Sequence, residues 1–353
     1  MTKKVLMCGN DAMSEAAVRA GCRFYFGYPI TPQNEVAAYM SRRMPEVGGT
    51  FIQAESEIAA INMVFGAAAV GARAMTSSSS PGISLKQEGI SYLCGCELPA
   101  VIANVVRGGP GLGSIGPSQA DYFQATRGGG HGDYRTIALA PSTVQEVVDL
   151  TYISFELADK YRNPVLILSD GILGQMMEPA VLPDFADGDQ PPKEWTLTGA
   201  KSRSPNVIRS LYLDVDLLEK FNFKLQEKFQ QMEREETRFE EVNMSDTQVV
   251  VVAYGSVARI CRSAVRRLRE AGEKVGLFRP ITVWPFPYEA LARAAEKARV
   301  LLAVEMSMGQ MVEDVRLAVA GSKPVSFFGR VGGCVMTVEE VVREVKKLLE
   351  EAA

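Results

Sequence analysis

Histidine is almost missing from this 353-residue chain, which carries one, at position 131. A lone imidazole argues against both a Ser–His–Asp triad and a histidine-based metal site. The six cysteines (Cys8, Cys22, Cys94, Cys96, Cys261 and Cys334) are scattered, and the one close pair, Cys94-Gly95-Cys96, lacks the two-residue gap of zinc or iron–sulfur knuckles. They read as small core residues of a reducing compartment, so no metal site or cluster is expected on this chain. No window holds the ~20 consecutive apolar residues that span a bilayer. The start, MTKKVLMCGNDAM, has no long apolar run with a small-residue cleavage site, which places the protein in the cytoplasm. A net charge of −4 gives no basic surface for nucleic acid. The GxGxxG fingerprint is missing too: the first strand-to-helix turn, Gly9-Asn10-Asp11, has a single glycine, so a dinucleotide fold is rejected.

What the chain does have is length for two domains, each with its own core, and one stretch, 51–82, that organises the rest. FIQAESEIAAINMVFGAAAVGARAMTSSSSPG places Glu55 and Glu57 at the mouth of a small-residue helix expected to run through Ala74, ended by a Ser/Thr run and a Pro-Gly turn. Acidic residues in a first turn satisfy unpaired N–H groups and the helix dipole, so both glutamates read as capping residues. The alternative is catalytic. Ala59, Ala60, Gly66, Ala67, Ala68, Ala69 and Gly71 leave a helix slim enough for another backbone or a flat ligand to approach. Close packing would desolvate Glu57 and raise its proton affinity toward the range that acid/base work needs.

Strands and helices alternate along the whole chain, which predicts an α/β fold of parallel strands with helices on both faces. Strand-like runs fall at 22–27, 51–53, 72–77, 98–106, 136–140 and 164–170, with helices at 84–93 and 144–161. Residues 1–183 form a first domain. Residues 184–246 form a linker, opening with the polar DGDQPPKEW and continuing as an amphipathic helix marked by Leu217, Phe221, Leu225, Phe229 and Met232. Residues 247–353 form a second, smaller α/β domain. Within the first, Tyr28-Pro29-Ile30-Thr31-Pro32 is a loop stiffened by two prolines, with Thr31 at the start of the next helix. Thr31 is an N-cap or, since such loops bind ligands in α/β folds, a ligand contact. Arg107 opens the glycine-rich loop RGGPGLG at a strand's carboxyl end. It grips carbonyls there, or meets a carboxylate bidentately. Gly128-Gly129-Gly130-His131-Gly132-Asp133 reads as a surface connection.

Five motifs in this order resemble the α subunit of the 2-oxoacid:ferredoxin oxidoreductases: the YPITP loop, Glu57 with Gly66 nine residues on, Arg107-Gly108-Gly109-Pro110, Gly130-His131-Gly132-Asp133, and Arg279-Pro280-Ile281-Thr282 with Trp284-Pro285-Phe286-Pro287. The likeness spans nearly the whole chain. Its short length and QAESE entry are most similar to the branched-chain, 2-oxoisovalerate class. The resemblance implies a pyrimidine-binding domain of the thiamine diphosphate fold followed by a transketolase C-terminal-like domain. It implies oxidative decarboxylation of a 2-oxoacid to an acyl-CoA, with electrons to ferredoxin. Pro29, Thr31 and Glu57 would contact the cofactor, Glu57 at N1′ of the aminopyrimidine, promoting removal of the thiazolium C2 proton. Thr31 and Arg107 would hold the substrate.

The Mg²⁺-binding GDG motif with its later Asn has only a partial echo, Ser169-Asp170-Gly171. The resemblance therefore implies a β subunit that grips the diphosphate through Mg²⁺, with coenzyme A and iron–sulfur clusters on partner chains, including a γ subunit and a ferredoxin-like δ subunit. Two rivals stay open: a subunit of another thiamine diphosphate enzyme, such as a transketolase or a dehydrogenase β chain, and a non-catalytic assembly subunit.

Overall fold

The computed structural model describes residues 4–186 and 193–351; residues 187–192, the start of the predicted linker, lie outside them. The chain opens with β1 (Lys4–Cys8) and α1 (Gly9–Arg19), then alternates through β2 (Phe24–Gly27), α2 (Asn34–Glu46), β3 (Thr50–Gln53), α3 (Glu57–Ala69), β4 (Ala74–Ser78) and α4 (Ser80–Gly95). It continues through β5 (Ala100–Val106), α5 (Tyr122–Arg127), β6 (Ile137–Leu139), α6 (Val144–Tyr161), β7 (Pro164–Asp170), α7 (Gly171–Gln175) and β8 (Met177–Val181). A long α8 (Val215–Glu236) leads to β9 (Phe239–Val242), β10 (Val249–Val252), α9 (Gly255–Glu270), β11 (Val275–Pro280) and β12 (Thr282–Trp284). The chain closes with α10 (Tyr288–Ala295), β13 (Val300–Glu305), α11 (Met311–Val319), β14 (Val325–Gly329) and α12 (Val338–Glu351).

Two elements differ from the sequence expectation around the glutamates. Helix α3 ends at Ala69, not Ala74, because Gly71 takes a φ of +89° that only glycine adopts without strain, and the chain turns at once into β4. The Pro-Gly pair does not end a helix but begins one. Pro81 sits in the first turn of α4, where its missing N–H has no intrahelical partner to lose.

The larger sheet runs β12-β6-β7-β5-β4-β2-β3, parallel throughout except for β12. Its central strands β5 and β7 are buried at every residue, as expected of strands covered on both faces. From β2 the chain steps outward to β3, then crosses back to β4 on the other side. The order therefore reverses at β2 and β4, and such a switch point opens a crevice at the carboxyl ends of the strands. The first strand does not join this sheet. β1 pairs antiparallel with β8 in a separate ribbon, since three of its five residues face solvent and it could not serve as a doubly covered strand.

The smaller sheet, β14-β13-β10-β11-β9, is parallel apart from its edge strand β9, which comes from the segment read as linker. In exchange β12, from the C-terminal third, closes the large sheet. Arg279 on β11 pins the two together. It is 2% exposed, meets Glu146 on α6 through two bonds of 2.6 and 2.7 Å, and bonds Glu240 on β9 at 2.9 Å. Burial by itself would raise the Glu146 carboxyl, but the Arg279 guanidinium reverses this and holds it below the ordinary 4.5.

Cutting this joint leaves the half-buried Glu146 carboxylate without its cation, while Glu240 keeps Arg262. Arg279→Met is expected to lower stability by about 1.5–3 kcal/mol at pH 7, measured by denaturant unfolding. A depressed carboxyl contributes stability above its unfolded pKa and loses it as pH falls through the folded value. The gap between Arg279→Met and the parent should therefore narrow below pH 4.5.

Candidate functional site

Four adjacent strands deliver the site residues to one edge. Thr31 follows β2, Glu57 follows β3, Ser79 and Ser80 follow β4, and Arg107 follows β5, all at carboxyl ends. The topology thus gathers residues that lie far apart in sequence onto the crevice that the strand reversal creates.

Capping of α3 falls to Ser56, whose Oγ accepts from the Ala59 N–H at 3.1 Å. Glu57 begins the helix without capping it. Its side chain is buried at 5% exposure, while Glu55, two residues earlier, faces solvent. The carboxyl lies against the first turn of α4, where Gly82 has no side chain to collide with it. A Cβ at that position would stand 2.6 Å from Glu57 Oε1 and 2.0 Å from Ser78 Oγ. The hydroxyls of Ser78 and Ser79 are also buried here, and neither has a hydrogen-bond partner.

Thr31 is not the N-cap of α2. That place belongs to Gln33, and Thr31 lies exposed in the preceding turn, close to the equally exposed Pro29. Arg107 is buried and reaches across to it. Its guanidinium donates from Nη1 to the Thr31 carbonyl at 3.1 Å and from Nη2 to the Leu112 carbonyl at 2.9 Å, while Nε stays buried without a partner. Arg107 and Thr31 therefore meet, with the arginine clamping two loops together through backbone oxygens.

The histidine loop stays apart from this group. His131 is exposed, and the N–H groups of Gly129 and Gly130 donate to the Tyr134 hydroxyl. Asp170 is equally committed elsewhere: its carboxylate caps α7 through Ile172 and Leu173 and accepts from Ser256, while burial raises its pKa. Among the described residues no group of three His, Cys, Asp or Glu side chains converges on a metal-sized space. None of their helices is long and apolar enough to cross a membrane.

Sequence reading missed Lys86. This side chain is fully buried on α4, one turn beyond Gly82, and its ammonium donates to Thr76 Oγ1 at 2.7 Å and the Ser77 carbonyl at 3.0 Å. Ser77 then joins the Tyr25 hydroxyl at 2.6 Å and Gln33 Oε1, which ties this polar core to the Thr31 loop. A signal was present. Lys86 falls three residues after Ile83 and four before Ile90, on the apolar stripe where a solvated lysine does not belong.

Comparison with known proteins agrees with this architecture. Residues 15–243 match the family described as pyruvate flavodoxin/ferredoxin oxidoreductase, thiamine diphosphate-binding, and residues 247–341 match pyruvate:ferredoxin oxidoreductase core domain II. The ketoisovalerate oxidoreductase subunit VorB of Methanothermobacter marburgensis is 52% identical over 98% of this chain and 97% of its own. The 2-oxoglutarate synthase subunit KorA of Methanocaldococcus jannaschii is 39% identical over 97% of this chain and 99% of its own. A solved 2-oxoglutarate:ferredoxin oxidoreductase from Magnetococcus marinus, with 2-oxoglutarate, coenzyme A and succinyl-CoA bound, superposes with a TM-score of 0.88 at 28% identity. That match covers 98% of this chain and 65% of the other, so this chain spans just under two-thirds of that longer one. A split-gene transketolase, at 16% identity and a TM-score of 0.59, shares the fold.

Fold and matches together define an α/β chain of the thiamine diphosphate-binding class. More narrowly, the chain belongs to the pyruvate flavodoxin/ferredoxin oxidoreductase family, as a subunit of a 2-oxoacid:ferredoxin oxidoreductase. The residues at the crevice fit one end of that cofactor. A buried carboxyl over a glycine, with the unpartnered Ser78 hydroxyl at the same point, suits a flat nitrogen heterocycle.

Gly82→Ala is expected to destabilise the chain by about 1–3 kcal/mol, because the added methyl must displace either Glu57 or Ser78. Thermal and denaturant unfolding of the variant check this.

Proposed function

We propose that this chain is the α-type subunit of a complex that oxidatively decarboxylates a branched-chain 2-oxoacid. The overall reaction joins the acyl group to coenzyme A, releases CO₂ and a proton, and passes two electrons, one at a time, to ferredoxin. The observation that carries this reading is Glu57, held out of water at the strand-reversal crevice and relieved of capping by Ser56.

In this reading Glu57, Pro29 and Thr31 face the aminopyrimidine end of thiamine diphosphate, whose bound thiazolium would supply the electron sink for decarboxylation. Glu57 holds a proton at N1′, where burial keeps it from exchanging freely with solvent. Thr31 and Arg107 orient the substrate carboxylate. Arg107 already spends both terminal nitrogens on carbonyls, which suits positioning better than a tight grip that would oppose loss of CO₂. The engaged carboxylate of Asp170 supports a diphosphate and Mg²⁺ site on a β subunit, with coenzyme A and clusters on further chains, a γ subunit and a ferredoxin-like δ subunit among them. Six free cysteines support a reducing, cytoplasmic setting.

A second observation favours the branched-chain class. The cleft of about 360 Å³ beside Thr31 is lined by Ile115, Pro117 and Ile172, and its one ionisable lining residue is Glu35. A distal carboxylate such as that of 2-oxoglutarate would enter without a cation and beside a like charge.

In the reconstituted complex, Glu57→Gln should lower ferredoxin or viologen reduction by ~10²-fold or more; near-normal turnover would favour the assembly-subunit reading. Steady-state comparison of 2-oxoisovalerate with 2-oxoglutarate should give a kcat/KM ratio of ~10² or more for the former, and a ratio near one would remove the substrate assignment. The purified chain alone should not bind thiamine diphosphate at micromolar strength, as read by calorimetry.

A further inference from the structure

A fully buried lysine needs a reason, because taking an ammonium from water costs several kcal/mol even after relaxation. Lys86 has no carboxylate within ion-pair distance among the described residues, and its partners, Thr76 Oγ1 and the Ser77 carbonyl, are neutral. A methionine would fill the same apolar position without that cost. The charge is therefore retained for something outside its own hydrogen bonds.

Geometry shows where it acts. Lys86 lies on the same α4 stripe as Gly82, four residues on, and Gly82 is the residue against which the Glu57 carboxyl rests. A buried acid and a buried base thus lie around one turn of one helix, not bonded to each other, where low-dielectric surroundings strengthen any charge interaction. Glu57 on α3 is the charged group that acts on Lys86. From β2 comes Tyr25, whose phenol burial keeps neutral and which reaches Lys86 only through Ser77, and β4 brings uncharged Thr76 and Ser77. Burial pushes Lys86 down to about 7, against the upward pull of Glu57. By reciprocity, a charge on either side favours a charge on the other.

We infer that Lys86 is a positioning residue for the Glu57 proton: its sealed ammonium is the countercharge that lets the Glu57 carboxyl release and regain a proton inside the protein. This rests on the role proposed for Glu57. When Glu57 passes its proton toward the N1′ position assigned above, the carboxylate left behind is stabilised by Lys86. Without Lys86 the carboxyl keeps its proton to higher pH.

The test reads Glu57 directly, without cofactor. In the full chain labelled with carboxyl-¹³C glutamate, the Glu57 resonance, assigned by its loss in Glu57→Gln, is titrated in the parent and in Lys86→Met. The midpoint should move up by about one pH unit or more in the variant. Thr76→Val, which loosens the lysine without removing its charge, should shift it in the same direction by less, and serves where Lys86→Met does not fold. An unmoved midpoint in the folded variants overturns the inference. In the reconstituted complex, the acid limb of kcat/KM and of thiazolium C2 hydrogen–deuterium exchange should move up with the midpoint, with Lys86→Arg partly restoring both. If the parent complex binds no thiamine diphosphate, the proposed function fails while the Glu57 titration still decides the role of Lys86.

Discussion

Everything at the crevice depends on one close approach, the Glu57 carboxyl against the unsubstituted Cα of Gly82. Two helices begin there, α3 at Glu57 and α4 at Ser80, so the carboxyl sits where helix dipoles present their positive ends. Neither helix uses Glu57 as a cap. Because Ser56 caps α3, the glutamate is not held by that duty, and because residue 82 lacks a side chain, it can be buried without steric cost. A larger residue at 82 or an uncapped α3 would return the carboxyl to solvent or to a structural duty.

A second layer of constraint holds that arrangement in place. The Thr31 loop is fixed from one side by Arg107, through its carbonyl, and from the other by Gln33, whose amide oxygen bonds the Ser77 hydroxyl. Ser77 carries the Lys86 contact as well, so the loop, the strand and the buried cation form one connected polar core. Such a network is rigid when all its members are satisfied. Gln33, Ser78, Ser79 and Arg107 each keep one buried polar atom without a partner, so this network is not fully satisfied. Further out, the exchange of edge strands between the two sheets and the Arg279 joint make the C-terminal segment part of the same body.

Much of this was legible in the chain itself. Alternating strand and helix patterns announced two α/β units, and the buried runs at 100–106 and 164–170 were readable because doubly covered strands are continuously apolar. Through the family resemblance, the distance to Gly66 picked Glu57 over Glu55, and in the structure Glu57 is buried while Glu55 faces solvent. Local punctuation misled where it had two meanings. Pro81-Gly82 looks like a turn but opens a helix, since proline suits a first turn as well as it breaks an interior one. Thr31 looked like a cap, yet the helix starts three residues later. β9 and β12 could not be assigned to their sheets at all, because strand partners are a matter of register between distant segments.

By itself, the order of residues determined the class of fold, the pair of acids at the mouth of α3 and the loops that flank them, because periodicity, helix starts and glycine spacing are local properties. Tertiary structure alone decided which groups share a space. Sequence marked Lys86 only by its place on an apolar stripe; the packing of α3 on α4 over β4 is what buries it one turn from the glycine that Glu57 rests on.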